Sequence, residues 1–321
     1  PSVAAMTPTP SPQVVKVLAA AVQRAFRLEF GFVGTENLLI ALTDTTGPGR
    51  KLGVKSLRAQ AMARGTEHWA GGDGGPAEAG PEVTALMRAA HHQARVETAL
   101  PPSVALDACL AAAVGQAGDG VLTTTHLSLA LLSLEFGRVA DLMVVRRVDV
   151  EAVAAAVREA AEPEEAPAVW LLRKAGALEG ESGGGYVRWL TKLVVRGQGL
   201  GGPVLTAVRN EAERLAVAGE RPVSSADLVA AVLTLDHQLS AAGRRLKPEF
   251  ESGGATALRQ AGVDRAALPA GGSVDRAVER AKLVAARRGD DVVGTRHLLV
   301  ALRDDPEDPV SGALSGLGAE M

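Results

Sequence analysis

The chain repeats itself four times. The tetrapeptides Gly34-Thr35-Glu36-Asn37, Thr123-Thr124-Thr125-His126, Ser224-Ser225-Ala226-Asp227 and Gly294-Thr295-Arg296-His297 each lead into a Leu/Val-rich stretch. Counting back from the last residue of each reaches Val14, Val104, Val204 and Val274, at separations of 23, 22, 23 and 23 residues. A spacing held four times is an internal repeat, and a repeat constrains the fold more tightly than any local propensity.

Each copy reads as a helical hairpin. Leu205, Val208, Ala212 and Leu215 recur at three- and four-residue steps, as do Val274, Ala277, Val278, Ala281 and Ala285, so each set forms one apolar stripe. Glycines at 31, 118 and 120, 219 and 289 then break the helix. The second helix opens at Thr35, Thr124, Ser225 or Thr295, whose hydroxyl is expected to accept a bond from a backbone N–H two or three residues on. Its body, for example Leu38, Leu39, Ala41 and Leu42, is apolar nearly all round, the pattern of a buried central helix. A third helix follows, signed Leu52-Gly53-Val54, Val148-Asp149-Val150 and Ala261-Gly262-Val263-Asp264. The fourth copy offers only Leu317-Gly318-Ala319-Glu320, so either it lacks its closing helix or the chain is clipped there.

Composition agrees with helices. Of 321 residues 47% are hydrophobic but only 3% aromatic, so the cores are built from Ala, Val and Leu, which favours helix packing over sheet sandwiches. A net charge of −3 gives no electrostatic case for nucleic acid. Cys109 alone makes no internal disulfide and no Cys/His group has zinc spacing, so no metal or cofactor is expected and a reducing, cytoplasmic setting suits the chain. No apolar run is long enough to span a membrane, and residues 1–12 lack a signal-peptide layout.

The tetrapeptides end 89, 101 and 70 residues apart. The widest gap holds Glu162-Pro163-Glu164-Glu165-Ala166-Pro167 and a glycine run at 180–185, both poor at supporting structure. The boundaries expected from this are a tail at 1–12, a domain at 13–161 with repeats one and two, a linker at 162–200 with room for an extra helix, and a domain at 201–321 with repeats three and four. Inside the first domain, 71–80 reads as flexible and 83–97 as an amphipathic helix; the third repeat is lengthened near 237–254.

The segments Phe32-Val33-Gly34-Thr35-Glu36-Asn37-Leu38-Leu39-Ile40-Ala41-Leu42 and Val293-Gly294-Thr295-Arg296-His297-Leu298-Leu299-Val300-Ala301-Leu302 resemble the repeat of the N-terminal domain of ClpC/ClpA-type Hsp100 chaperones, roughly V-G-T-E-H-L-L-L-G-L. The resemblance is good in repeats one and four and weaker in two and three. It implies an all-α fold of two Clp-N-type domains, each a pseudo-twofold pair of helical repeats. Such domains are not catalytic; they dock substrates and adaptors for ATP-driven rings. The ring's G-x-x-x-x-G-K-[ST] phosphate loop is absent from this sequence. The expected function is therefore binding within the Clp protease system, as an adaptor or as a decoy. Its expected partners are Clp components, substrate proteins or peptide toxins, without nucleic acid or membrane; the oligomeric state is left open.

Some ClpC-type domains bind phosphorylated arginine through the motif's Glu and a hydroxyl residue 25 positions earlier. The resemblance places these roles on Glu36 and Ser11. The Glu position is Thr125, Ala226 and Arg296 in the other copies, so one site in four keeps the parts. Two rival readings stand beside this one. The scaffold could serve a small-molecule enzyme built on Asp107, His126 and a serine, or the chain could be a piece of a longer Clp ATPase. The bland readings are that Glu36 caps its helix, His126 and His297 make structural bonds in a helix-start motif, and Cys109 is a core thiol. His91 and His92, adjacent on a helix, make a poor metal pair. Trp69, Trp170, Tyr186 and Trp189 fall in linkers or insertions, where exposure would mark partner contacts.

Overall fold

The computed structural model describes residues 8–52, 72–180 and 202–317. The described chain is mostly helical and divides into two compact units, Pro1–Ala166 and Pro167–Met321.

In the first unit a two-residue strand, β1 (Thr9–Pro10), leads into α1 (Pro12–Arg27), α2 (Thr35–Thr45) and the single turn α3 (Gly47–Arg50). After the insertion helix α4 (Pro81–Ala94) the pattern returns as α5 (Val104–Ala117), β2 (Val121–Leu122), α6 (Thr124–Leu132), α7 (Arg138–Val145) and α8 (Val150–Glu159). The second unit holds α9 (Pro167–Lys174), α10 (Pro203–Ala218), α11 (Ser225–Ala241), α12 (Gly254–Gln260), α13 (Val274–Arg288) and α14 (Thr295–Arg303), with short 3₁₀ turns at Arg265–Ala267 and Gly312–Leu314.

Local chemistry explains the helix starts. Ser11, Ser103 and Ser273 each accept a hydrogen bond from the amide three residues on, at Val14, Leu106 and Arg276, satisfying one of the orphan donors of the first turn. Pro12, Pro81 and Pro203 occupy first-turn positions where a missing N–H costs nothing. The apolar stripes are buried: Val14, Val17, Leu18, Ala21 and Val22 on α1, and Leu106, Cys109, Leu110 and Ala113 on α5. On α13 all five stripe residues are buried. On α10 Leu205, Val208 and Ala212 are buried while Leu215 is half-buried.

The second helices are the core. On α2 every residue from Thr35 to Leu42 is buried, and on α14 every residue from His297 to Leu302. Each fully buried Leu contributes about 1.5–3 kcal/mol relative to exposure.

Two repeats in one unit close on each other by exchange. β1 pairs in parallel with β2, and a matching parallel bridge joins Val33 to Pro102. The Ser11 amide donates to the Leu122 carbonyl at 3.0 Å, and the equivalent Ser103 amide to the Val33 carbonyl at 2.9 Å. Among the described residues β1 and β2 are the named strands, and single bridges join Pro76 to Ser103 and Leu178 to Leu246, so the chain is mostly helical with short extended pairings. The turn α3 of repeat one lies against α6 of repeat two, while α7 of repeat two lies against α2 of repeat one. In the second unit α12 lies against α14.

The expectation for the insertion is corrected in part. Its helix forms, as α4, and packs on α1. The glycine-rich stretch before it, described from residue 72, is pinned: the Ala105 amide donates to the Asp73 carbonyl, the Val104 amide to that of Gly75, and Asp73 is buried. Of the third-helix signatures, Asp149 caps α8 and Asp264 caps the turn at Arg265–Ala267, and Leu317 is buried. Residues 53–54 and 318–320 lie outside the described residues.

Candidate functional site

The four tetrapeptides sit at the starts of α2, α6, α11 and α14, where the same two hydrogen-bonding problems recur. The first is the backbone N–H just before the helix. It is answered by the side chain three residues on: Gly34 N–H donates to Asn37 Oδ1 at 2.8 Å, Thr123 to His126 Nδ1 at 3.1 Å, Ser224 to Asp227 Oδ2 at 3.0 Å and Gly294 to His297 Nδ1 at 3.0 Å. Asn, His and Asp share only a short side chain with an acceptor, and that is what the position requires. Both histidines are thereby structural, as the bland reading expected. An accepting Nδ1 places the proton on Nε2, and in His297 that nitrogen donates to Asp290 at 2.8 Å.

The second problem corrects an expectation. Thr35, Thr124, Ser225 and Thr295 are already inside the helix, and their hydroxyls do not cap it. They clasp a group brought from far along the chain. Thr35 donates to Asp73 Oδ1 at 2.8 Å, Thr124 to Glu164 Oε1 and Ser225 to Asp308 Oδ2 at 2.6 Å, while Thr295 meets the Ser252 hydroxyl at 2.9 Å. In the first unit each carboxylate also reaches the serine that starts the other repeat. Asp73 Oδ2 accepts from Ser103 at 3.0 Å, and Glu164 Oε2 from Ser11. The Asp73 carboxylate receives two further donors, the amides of Thr35 at 2.6 Å and Arg138 at 2.7 Å. Gly137, just before α7, makes this approach feasible: its φ is +105° and a Cβ there would stand 2.7 Å from that of Ala105.

Sequence reasoning missed Asp73, Glu164 and Asp308. Asp73 lies among glycines and Glu164 in an acidic Pro-containing stretch, two compositions that read as solvated linker. The usable signal was a carboxylate set between two glycine pairs, Gly71-Gly72-Asp73-Gly74-Gly75, where a solvated linker has no need of one.

The two residues singled out as ligand-binding are both buried and have other partners. Ser11 caps α1 and donates to Glu164. Glu36 Oε1 accepts from Arg138 Nη1 at 2.7 Å, in a pair whose side chains are 10% and 6% exposed on Arg138 and Glu36. The Arg138 guanidinium also stands over the Phe32 ring, 5.7 Å from its centroid. Burial pushes the Glu36 carboxyl above its ordinary range, neighbouring Asp73 pushes the same way, and Arg138 pulls it back. Glu36 Oε2 has no hydrogen-bond partner.

The rival catalytic parts are scattered over other tasks. His126 uses Nδ1 for its helix start, and burial lowers its pKa against the pull of Glu164. Burial raises the Asp107 carboxyl, whose Oδ1 is buried without a partner. Cys109 is wholly buried; desolvation first, then Asp73, pushes its thiol up to about 12, far from nucleophilic. His91 is half-buried between the Met87 carbonyl and the Leu100 amide, and His92 is exposed. Among the described residues no group of three His, Cys, Asp or Glu side chains could hold a metal ion, and no helix is long and apolar enough to cross a membrane. Trp170 is 41% exposed with the Lys174 ammonium 4.4 Å from its ring centroid; Trp69, Tyr186 and Trp189 lie outside the described residues.

Comparison of the chain with protein-family models, with curated proteins and with solved structures finds no match.

Proposed function

We propose that the chain is a non-enzymatic binding protein of the Clp protease system, built from two Clp-N-type domains and acting in the cytoplasm as an adaptor or a decoy for peptides, toxins or substrate proteins of the ClpC N-domain. The observation that carries this reading is the fourfold V-G-T-E-H-L-L-like tetrapeptide, each copy at the start of a buried helix and clasped from a distance. The hydroxyls of Thr35, Thr124, Ser225 and Thr295 and the acceptors of Asn37, His126, Asp227 and His297 are spent on clasps and helix starts, which favours binding on the outer faces. Val144 and Val145, 77% and 73% exposed at the end of α7, show that such a face carries apolar side chains.

Among ligand classes, peptides and proteins fit better than phosphoarginine. A guanidinium arriving at Glu36 would have to displace Arg138, and a phosphate at Ser11 would meet the Glu164 carboxylate. The test is binding of the full chain to a purified ClpC-type ring, to cyclic peptide toxins directed at that ring, and to free phosphoarginine. Micromolar or tighter binding to the ring or a toxin supports the proposal. Failure to bind either sinks it, and tight phosphoarginine binding would reassign the ligand class.

A further inference from the structure

The pair Glu36–Arg138 is incompletely satisfied in a way that points to a third participant. Glu36 Oε1 has the guanidinium, but Oε2 is buried and bare, and so is Arg138 Nε. Oε2 and Asp73 Oδ2 crowd one point beside Gly34: a Cβ on that glycine would collide with Oε2 and lie 2.8 Å from Oδ2. Both carboxylate oxygens thus border the space that only a glycine at position 34 leaves free. Asp73 already accepts four donors, which occupy both its oxygens. Glu36 is the member able to carry a proton.

We propose that Glu36 and Asp73 form a proton-linked latch, in which a proton on Glu36 Oε2 is shared with the Asp73 carboxylate, and loss of that proton loosens the grip of Asp73 on the starts of α2 and α7. The groups around it are few. Arg138 from α7 opposes protonation; Asp73 from the segment before α4 favours it; Cys109 from α5 stays neutral; Thr35 and Ser103 contribute hydroxyls. Protonation gives the bare oxygen a partner and removes like-charge repulsion, while Oε1 goes on accepting from Arg138. The proposal stands apart from any ligand and would survive failure of the Clp reading.

The sign follows from linkage. A carboxyl raised by folding holds its proton in the native state after the unfolded chain has lost it. Its stabilising contribution is complete below the ordinary value of 4.5 and fades as pH rises through the raised one. The direct test is a carbon-13 carboxyl titration of the full-length protein, with Glu36 assigned through its side-chain correlations. A midpoint above 4.5 is expected; one at or below 4.5 overturns the latch. Denaturant unfolding of wild type and Glu36→Gln across the same range gives a second readout. The wild type should lose stability relative to Glu36→Gln as pH rises, and a difference that does not change with pH overturns the proposal. Arg138→Gln should move the Glu36 midpoint further up and Asp73→Asn should move it down, shifts that a packing role alone would not produce.

Discussion

At the scale of single residues, the position three into each second helix shows how different side chains solve one physical problem. Asn37, His126, Asp227 and His297 look unrelated, yet each offers an acceptor to the same N–H. Removing that acceptor strands a donor, so Asn37→Ala should lower stability by about 1 kcal/mol, read from denaturant midpoints. Histidine brings a liability the others lack, since its Nδ1 accepts only while unprotonated. Burial lowers the His126 pKa below its ordinary 6.5. A depressed histidine binds fewer protons folded than unfolded, so its contribution is complete above 6.5 and lost as pH falls through the folded value. His126→Asn keeps an acceptor without the titration and should flatten the acid side of the stability curve. An unchanged acid limb in that variant would place the lability elsewhere.

At the scale of elements, the hairpins were legible because both determinants are local: stripe periodicity and turn glycines recur within some 23 residues. What joins one hairpin to another was not. The hydroxyl of Thr35 reads as a helix cap until Asp73, 38 residues on, is seen to take it, and no periodicity links the two. The ligand roles given to Ser11 and Glu36 fail to show their partners for the same reason, since Glu164 and Arg138 are 153 and 102 residues away. Asp73 is the tie on which three elements converge, α2, α5 and α7. Asp73→Ala leaves two amides and two hydroxyls without an acceptor in a buried place and should cost about 3–5 kcal/mol. Hydrogen exchange distinguishes this from general loosening. The Thr35 and Arg138 amides should lose protection, while the Ser11 amide, paired with Leu122 across the seam, keeps it. Equal loss at all three would mean that Asp73 supports the whole unit rather than this junction.

At the scale of the whole molecule, a chain with 3% aromatic residues cannot rely on large side chains to lock helices in place. Small apolar residues pack closely but slide easily, and buried hydroxyl–carboxylate clasps fix what the packing leaves free. Because every clasp closes within one unit, the halves are expected to be independent. Residues 1–166 and 167–321, made separately, should each unfold cooperatively, with helical signals that sum to that of the intact chain. The end point of the first half matters more than its composition suggests. Residues 162–166 look like the beginning of a linker, yet Glu164 holds both Ser11 and the start of α6. A fragment ending at 161 should therefore be less stable than one ending at 166 by about 2–3 kcal/mol. Glu164→Gln in the longer fragment should reproduce most of that loss, because an amide can accept from Thr124 but cannot supply two charged acceptors. Equal stability of the two fragments would show that the hydrophobic core alone keeps the two repeats in register.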